Sequence, residues 1–285
     1  MTWRDVIAKA SSYLGAKDVP DAETAAELLA ARLLRCGRGS LASALEQDVG
    51  QRHLEAMRRG MSRLVKGEPL QYVLGEWDFR SLTLKCDRRA LIPRPETEEL
   101  VTRVLRHLQT LAVDEPFVID VGTGTGAIIL SLAKELAAPA IFLGTDVSED
   151  AIALAKENAV RCGLTDRVMF AVADGLDDFD EPGVVDVIVS NPPYIETATC
   201  ETLDPRVKDW EPRLALDGGA TGLDFYDRYL GDALNILKPG GAVFFEIGEN
   251  QGEALRKLMF DYGFENITVE KDFGGHDRYA SATLP

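Results

Sequence analysis

Four consecutive residues in the second half of the chain, Asn191-Pro192-Pro193-Tyr194, carry groups suited to holding an amino group in place. The prolines fix φ and have no backbone N–H, so the carbonyls of Ser190, Asn191 and Pro192 are predicted to face a cleft without ladder partners. An NH₂ group bound by the Asn191 side-chain oxygen and the Pro192 carbonyl would have both hydrogens held and its lone pair aimed one way. The Tyr194 ring offers a flat face to a planar acceptor or a cation. The alternative interpretation is a strand-ending turn with a surface aromatic.

An apolar strand is predicted to deliver this turn. Residues 184–190 read Val-Val-Asp-Val-Ile-Val-Ser and are rich in β-branched side chains. Such a run is typical of a strand covered on both faces of a parallel sheet. Ligands of open α/β sheets bind outside the carboxyl ends of the strands. The turn is therefore predicted to lie at a ligand-binding edge.

A second candidate site lies upstream, between a predicted strand at 117–120 and a predicted helix at 127–136. The residues at this junction are Gly122, Thr123, Gly124, Thr125 and Gly126. Glycines let the backbone approach a ligand, and a helix N-terminus presents free N–H groups. Gly122, Gly124 and Ala127 also satisfy the dinucleotide pattern G-x-G-x-x-G/A, so the loop alone leaves NAD and S-adenosylmethionine open. A strand-to-helix turn without a ligand is a third interpretation.

Two aspartates follow the next two predicted strands. The strand at 140–144 leads to Asp146, whose carboxylate is placed to accept both ribose hydroxyls of an adenosine, in NAD or S-adenosylmethionine alike. The strand at 168–172 leads to Asp174 and Gly175, where Asp174 is predicted to meet the adenine amino group. A solvated turn aspartate is the alternative for Asp174.

The periodicity of apolar residues divides the chain into three parts. Residues 1–73 are helical throughout, including stretches at 41–49 and 51–65, and predict a small bundle. Residues 74–91 contain two short alternating segments and predict a β-hairpin linker. Residues 92–285 alternate strands and helices, which predicts an α/β domain.

The last part of the α/β domain contains two further features. Strands are predicted at 242–247, after a Lys-Pro-Gly-Gly sequence at 238–241 where the preceding helix stops, and at 266–271 and 278–283, the last two being antiparallel. Residues 196–221 lack clear periodicity, and we interpret this long segment as a lid over the acceptor site.

Composition and charge exclude several classes of partner. The net charge is −16; residues 1–73 carry 11 Lys and Arg against 9 Asp and Glu, whereas residues 74–285 carry 20 against 38. Because nucleic-acid binding normally requires a basic surface, no stable nucleic-acid partner is expected. Neither a membrane span nor the apolar core of a signal peptide is evident, so a cytoplasmic protein is expected. The 4 cysteines and 3 histidines are scattered and encode neither a disulfide framework nor a metal site.

Five segments together resemble the HemK/PrmC family of class I S-adenosylmethionine-dependent methyltransferases. The segments are 67–72, 92–98, 120–126, 191–195 and 211–219. The resemblance implies a Rossmann-like α/β fold with a mostly parallel seven-stranded sheet and a terminal antiparallel strand, preceded by a helical substrate-recognition domain. It implies methylation of the glutamine in the Gly-Gly-Gln motif of peptide chain release factors.

The resemblance also assigns roles to residues. S-adenosylmethionine would be bound by the glycine-rich loop with Asp146, Asp174, Gly175 and Asn191. Catalysis would fall to Asn191, Pro192 and Tyr194, and the substrate would contact these residues and Pro193. The family often has an aromatic residue or leucine after the aspartate of the third strand, which packs against adenine. Here Gly175 stands there, and Leu176, which follows it, is expected to supply this packing instead.

The implied reaction is a direct displacement, in which the oriented amide nitrogen attacks the sulfonium methyl in line. Three other interpretations remain open from the residues alone. A nucleic-acid amino-methyltransferase acting on adenine or cytosine would share the Asn-Pro-Pro-Tyr chemistry. An NAD-dependent dehydrogenase would explain the glycine loop, and a catalytically silent scaffold would retain the fold.

Overall fold

The computed structural model describes residues 1–177, 179 and 181–285, which form two compact units. The first unit consists of Met1–Glu76 together with Asp204–Trp210. The second consists of Trp77–Leu203 and Glu211–Pro285. In the described part of the chain, no helix combines the length and the apolar character that crossing a bilayer requires.

The first unit is helical. Its main helices are α1 (Trp3–Gly15), α2 (Ala22–Leu34), α3 (Gln51–Val65) and α4 (Leu70–Leu74), with a short helix at Pro205–Lys208. Helix α1 begins in a capping box, in which Thr2 Oγ1 accepts the Asp5 N–H and Asp5 accepts the Thr2 N–H. Gly60 allows α3 to approach α2, since a Cβ there would lie 2.8 Å from a Leu29 methyl. The predicted bundle therefore has a packed core of its own.

One helix predicted in this unit is wrong. Residues 41–49 were expected to be α-helical, but the structure has a 3₁₀ helix at Arg38–Ala44. The backbone beyond it pairs with the N-terminal residues: Gln47 O accepts the Trp3 N–H, and the Val49 N–H donates to Met1 O. Because these bonds require an extended chain, a helix cannot continue through this stretch.

The second unit is built on a seven-stranded sheet. A two-stranded hairpin, β1 (Glu76–Phe79) and β2 (Leu82–Lys85), comes first in the chain. The sheet strands are β3 (Phe117–Val121), β4 (Ile141–Asp146), β5 (Val168–Val172), β6 (Val185–Ser190), β7 (Leu237–Glu246), β8 (Glu265–Lys271) and β9 (Asp277–Thr283). The helices are α5 (Pro95–Thr110), α6 (Ala127–Glu135), α7 (Glu149–Cys162), α8 (Asp224–Ile236) and α9 (Gly252–Asp261), with a short helix at Thr197–Cys200.

The strand order is β5-β4-β3-β6-β7-β9-β8, and β9 runs antiparallel to the other six strands. The predicted class I methyltransferase fold is confirmed, with the last strand of the chain inserted between β7 and β8. The connections after β3 and β6 leave in opposite directions, which makes this the switch point of the sheet. Ligands of such sheets bind in the crevice outside this point.

Strand β6 is buried on both faces, as predicted. Val187 and Val189 lie in the hydrophobic core formed with α5 and α6, whereas Ile188 lies in the core formed with α8 and α9. All six residues of β6 are buried. The sheet is therefore the middle layer of three, and the turn after β6 starts from a rigid position.

The start of β7 differs from the prediction. The strand was expected to begin at Ala242, but it begins at Leu237, which pairs with Val185. The residues that follow form an irregularity in the register, where Gly240 and Gly241 bond with Leu284 instead. The Lys-Pro-Gly-Gly sequence therefore lies within the strand, at the irregularity of its register.

Candidate active site

A cleft opens at the carboxyl edge of the sheet, beside the switch point. It encloses about 1030 Å³, part of it open to solvent. Nine of the predicted site residues line it: Gly122, Thr123, Gly124, Thr125, Asp146, Asp174, Gly175, Asn191 and Pro193. Of the other predicted residues, Gly126, Pro192 and Tyr194 lie outside the lining. The structure thus brings the glycine-rich loop and the Asn191 turn to one cleft.

The glycine-rich loop is held by bonds to residues close in sequence. Gly122, Gly124 and Gly126 have φ of +72°, +56° and +81°, which L side chains rarely adopt. The Thr123 hydroxyl donates to Asp120 Oδ2 at 2.6 Å. Asp120 is fully buried, and this burial raises the pKa of its carboxyl to about 7. The loop is therefore closed by its own strand.

Asp146 serves as a second anchor for this loop. Its Oδ2 accepts the Gly124 N–H at 2.9 Å, and its Oδ1 accepts the Ser148 N–H at 2.9 Å. Burial raises the pKa of the carboxyl. Each carboxylate oxygen has further acceptor capacity, so the residue can still accept ribose hydroxyls from the cleft.

The tip of β5 departs from the expected arrangement. The Asp174 carboxylate accepts a hydrogen bond from Arg228 Nη1 at 2.7 Å, an ion pair that sequence reasoning missed. Leu176 is buried in the core rather than exposed to the cleft. Apolar lining at this end comes instead from Phe225 and Tyr229, whose ring centroids are 5.9 Å apart. These aromatic residues lie on helix α8. The sequence of this helix does not indicate which of its aromatic rings line the cleft and which lie in the core.

The Asn191 side chain is fixed by a hydrogen-bond chain. Its Nδ2 donates to Thr97 Oγ1 at 3.1 Å, and the Thr97 hydroxyl donates to Glu246 Oε2 at 2.6 Å. Glu246 is 1% exposed, and its pKa is raised to about 7, chiefly by burial. Sequence reasoning missed both partners. The available signal was a single acid within the apolar run Phe244-Phe245-Glu246-Ile247.

Tyr194 packs partly buried against the core that contains α8 and α9. Burial raises the pKa of its phenol to about 12, so the hydroxyl is protonated at neutral pH. Its backbone carbonyl accepts a hydrogen bond from Gln251 Nε2 at 3.0 Å. The turn is therefore anchored from Gln251, the N-cap residue of helix α9, as well as from α5.

A glycine in segment 211–219 packs directly on the turn. A Cβ on Gly218 would lie 2.7 Å from both Pro193 O and Tyr194 Cα. The Gly218 N–H donates to Ile195 O at 2.7 Å, and the Ile195 N–H donates to Leu216 O. Glycine is needed here because the two backbones approach so closely.

The same segment is tied to the residues before α5. The buried carboxylate of Glu211 accepts the Ile92 N–H at 3.0 Å and pairs with the Arg94 guanidinium. Pro212, Leu214 and Ala215 follow it and line the cleft. Part of the segment interpreted as a lid therefore forms a wall of the site; whether it moves stays a prediction. Among the described residues, no cluster of His, Cys, Asp or Glu side chains could hold a metal ion.

Comparison with known families matches both parts of the chain. Residues 114–268 match a family model described as a methyltransferase domain. Residues 5–75 match the model of the PrmC N-terminal domain. Together the two matches cover most of the chain.

Two similar relatives are both named release factor glutamine methyltransferase. The protein of Moorella thermoacetica is 38% identical over 280 residues, which are 98% of this chain and 97% of that protein. The protein of Fusobacterium nucleatum is 35% identical over 275 residues, 96% of this chain and 77% of that one.

Solved structures show the fold alone, because their identity to this chain is low. The hMettl16 catalytic domain, solved with the MAT2A 3′UTR hairpin 6, has a TM-score of 0.57 at 20% identity, covering 75% of this chain and 79% of that one. A methyltransferase from Pyrococcus furiosus has a TM-score of 0.51 at 20% identity, covering 72% and 89%.

Proposed function

Because the chain belongs to the release factor glutamine methyltransferase family, we propose that it methylates the side-chain amide nitrogen of the glutamine in the Gly-Gly-Gln motif of peptide chain release factors. The chain is an S-adenosylmethionine-dependent methyltransferase. The observation that supports the proposal most is the single cleft that joins the glycine-rich loop to the Asn191 turn. The NAD-dependent dehydrogenase alternative is not favoured.

The cleft has groups that fit S-adenosylmethionine. Gly122–Gly126 would approach the cofactor with backbone alone, and Asp146 would accept the ribose hydroxyls. Phe225 and Tyr229 provide apolar surface near Gly175, where adenine packing is expected. The Arg228 ion pair leaves the Asp174 carboxylate, which is largely exposed, free to accept a further bond from the adenine amino group.

The residues of the acceptor turn orient the glutamine amide. When bound, S-adenosylmethionine supplies an electrophilic methyl group on a positively charged sulfur. Asn191 Oδ1 and Pro192 O would accept the two amide hydrogens and direct the nitrogen lone pair at the methyl carbon. Transfer would form the N–C bond and break the C–S bond, whose electron pair would stay on sulfur. The methylated nitrogen would then carry a positive charge, be strongly acidic and lose one proton to solvent.

Orientation and an apolar cleft, rather than a titrating base, are proposed to dominate the rate. An amide nitrogen is a weak nucleophile because its lone pair is conjugated with the carbonyl. Hydrogen bonds that hold the nitrogen out of full conjugation would raise its reactivity. The Tyr194 ring is assigned a positioning role, so Tyr194→Phe is expected to be milder than Tyr194→Ala.

Residues 1–73 are proposed to bind the body of the release factor, because one glutamine offers too little surface to specify a protein. This region is net positive, whereas the remainder of the chain is strongly acidic. Arg58 and Arg59 on α3 are exposed. Deleting the region would also strip segment 204–210 of its packing within the same unit, so surface substitutions are the cleaner test.

Charge reversal tests this recognition role. The Arg58→Glu, Arg59→Glu double variant is expected to raise KM for the release factor several-fold while KM for S-adenosylmethionine stays unchanged. A control with the same change in charge, Lys134→Glu with Lys156→Glu, lies at exposed positions of α6 and α7. Equal losses in both double variants, or a loss of cofactor binding in the first, would contradict the assignment.

The proposed reaction is tested by transfer of labelled methyl from S-adenosylmethionine to unmethylated release factor, with mass spectrometry to locate the label. Bare duplex DNA is the parallel acceptor. Label on the Gly-Gly-Gln glutamine is the expected result. Label on adenine or cytosine would favour a nucleic-acid amino-methyltransferase, which the net charge of −16 disfavours. Action in the cytoplasm, without a stable nucleic-acid partner, is part of the same proposal.

A further inference from the structure

We propose that Thr97 and Glu246 are positioning residues that fix which end of the Asn191 amide faces the acceptor glutamine, and that this orientation requires ionised Glu246. The inference rests on the proposed function and adds two residues to it. Thr97 is 4% exposed and lies on the first turn of α5. Glu246 is the last residue of β7. Neither belongs to the Asn-Pro-Pro-Tyr turn.

The number of hydrogens on the Thr97 hydroxyl and the Glu246 carboxyl group decides how the Asn191 amide is oriented. A threonine hydroxyl has one hydrogen, and an ionised carboxylate can only accept. The 2.6 Å bond from Thr97 Oγ1 to Glu246 Oε2 uses that hydrogen, so Thr97 can only accept from Asn191. The 3.1 Å contact with Thr97 is therefore made by Nδ2 of Asn191. This leaves Oδ1, an acceptor, for the cleft.

Protonation of Glu246 would remove this constraint. A neutral carboxyl can donate to Thr97, whose hydroxyl can then donate to Asn191 Oδ1. The Asn191 amide could then rotate and present Nδ2 to the cleft. An NH₂ group in that position would face the NH₂ group of the glutamine. Both groups are donors, so no hydrogen bond would form between them.

The charges around Glu246 partly balance one another. Burial raises the pKa of the Glu246 carboxyl most, and the hydrogen bond from Thr97 lowers it. Arg278 and Arg94 also lower this pKa, whereas Glu96 raises it. The phenols of Tyr194, Tyr226 and Tyr279 also lie near it; their pKa values are raised, so they stay neutral. With a pKa of about 7, Glu246 changes charge within the physiological range.

Single-turnover methylation of release factor, measured from pH 5.5 to 8.5 at saturating S-adenosylmethionine, tests the inference. In the wild type we expect the rate to fall on the acid side, at or below about pH 7, because bound sulfonium favours ionised Glu246. Thr97→Val should lower the rate about 10- to 100-fold with unchanged affinity for the cofactor. Thr97→Ser, which keeps the hydroxyl, should restore most of it.

Glu246→Gln separates orientation from packing. The variant should methylate more slowly than the wild type. It should also lack the acid limb, which is the fall in rate on the acid side of the pH profile, since glutamine does not titrate. The control is Tyr279→Phe, which removes a 2.8 Å bond to Glu96 O beside Thr97 and should keep the wild-type limb. A Thr97→Val enzyme with the wild-type rate, or a Glu246→Gln enzyme that retains the limb, would overturn the inference. Absence of glutamine methylation in the wild type would instead refute the proposed function.

Discussion

The glycine-rich loop Gly122–Gly126, here called the cofactor loop, and the turn Asn191–Tyr194, called the acceptor turn, are assembled differently. Each depends on a buried carboxylate that accepts a hydrogen bond from a threonine hydroxyl at 2.6 Å. In the cofactor loop, Thr123 bonds to Asp120, three residues away. In the acceptor turn, Thr97 bonds to Glu246, 149 residues away. The first pair closes a local strand-to-helix turn. The second pair joins the first turn of α5 to the end of β7, which lie far apart in the sequence.

The acceptor turn thus depends on long-range contacts at several points. Gln251 holds the Tyr194 carbonyl, and Gly218 packs on Pro193. The cofactor loop has its main bonds to Asp120 and to the tip of the adjacent strand at Asp146. The difference suggests that cofactor binding and acceptor orientation can be damaged separately.

Asn191→Ala is expected to have the largest effect on transfer. It removes the proposed side-chain acceptor for the glutamine NH₂, and by analogy with loss of an oriented hydrogen-bond group in other sites the rate should fall by about 1,000-fold. Single-turnover methylation measures this loss. Near-normal turnover would refute the role of Asn191 and, with it, the separation of the two regions.

Asp146→Ala should show the opposite pattern. It removes the acceptor for the Gly124 N–H and the proposed acceptor for the ribose hydroxyls, so KM for S-adenosylmethionine should rise roughly 100-fold. At saturating cofactor, kcat should stay within a few-fold of the wild type. A comparable fall in kcat would show that the loop also controls the acceptor.

Gly218→Ala tests the long-range support of the acceptor turn. The added Cβ would meet Pro193 O and Tyr194 Cα at 2.7 Å, so the turn must shift, and kcat should fall about 10-fold. Gly39→Ala is the control, because a Cβ there meets no heavy atom within 4 Å and its φ is not positive. Equal activity of the two variants would mean that the turn tolerates displacement.

The smallest expected effect concerns stability. The folded-state pKa of Glu246 is about 7, above its ordinary value of 4.5. The contribution of Glu246 to the free energy of unfolding is therefore fully present below about pH 4.5 and is lost as the pH rises through 7. Tm of Glu246→Gln relative to the wild type should therefore rise by a few degrees between pH 5 and 8. Asp120→Asn should behave alike for the cofactor loop.

Thermal denaturation across this pH range measures both differences. His107, whose pKa is lowered by burial, changes stability in the opposite direction but is common to all the proteins compared. A Tm difference that is independent of pH would show that Glu246 does not titrate in this window.

The contrast between the two regions also explains how far the sequence could predict the site. Gly122–Gly126 and Asp146 each follow a strand that can be predicted from its own residues. Because these strands are parallel, their carboxyl ends lie at one edge of the sheet, and the residues that follow them meet there. The Asn191 turn was placed by the same reasoning. Thr97 and Glu246 were missed, because nothing local indicates that the start of α5 meets the end of β7.

The errors in the fold have the same origin. The chain that follows the 3₁₀ helix at Arg38–Ala44 bonds with Met1 and Trp3. Strand β7 begins early because Leu237 pairs with Val185 of β6. The irregular segment 196–221 also gained order from distant partners, since Glu211 bonds to Ile92 and Arg94. Propensity and periodicity describe local preference, and here tertiary contacts override it.

Titration calorimetry of S-adenosylmethionine into the wild type, Asn191→Ala, Gly218→Ala and Asp146→Ala tests most directly whether the two regions are held separately. We expect the first three proteins to bind the cofactor with Kd values within about five-fold of one another and only Asp146→Ala to bind roughly 100-fold more weakly. If Asn191→Ala or Gly218→Ala weakened binding as much as Asp146→Ala, the acceptor turn and the cofactor loop would have to be a single unit.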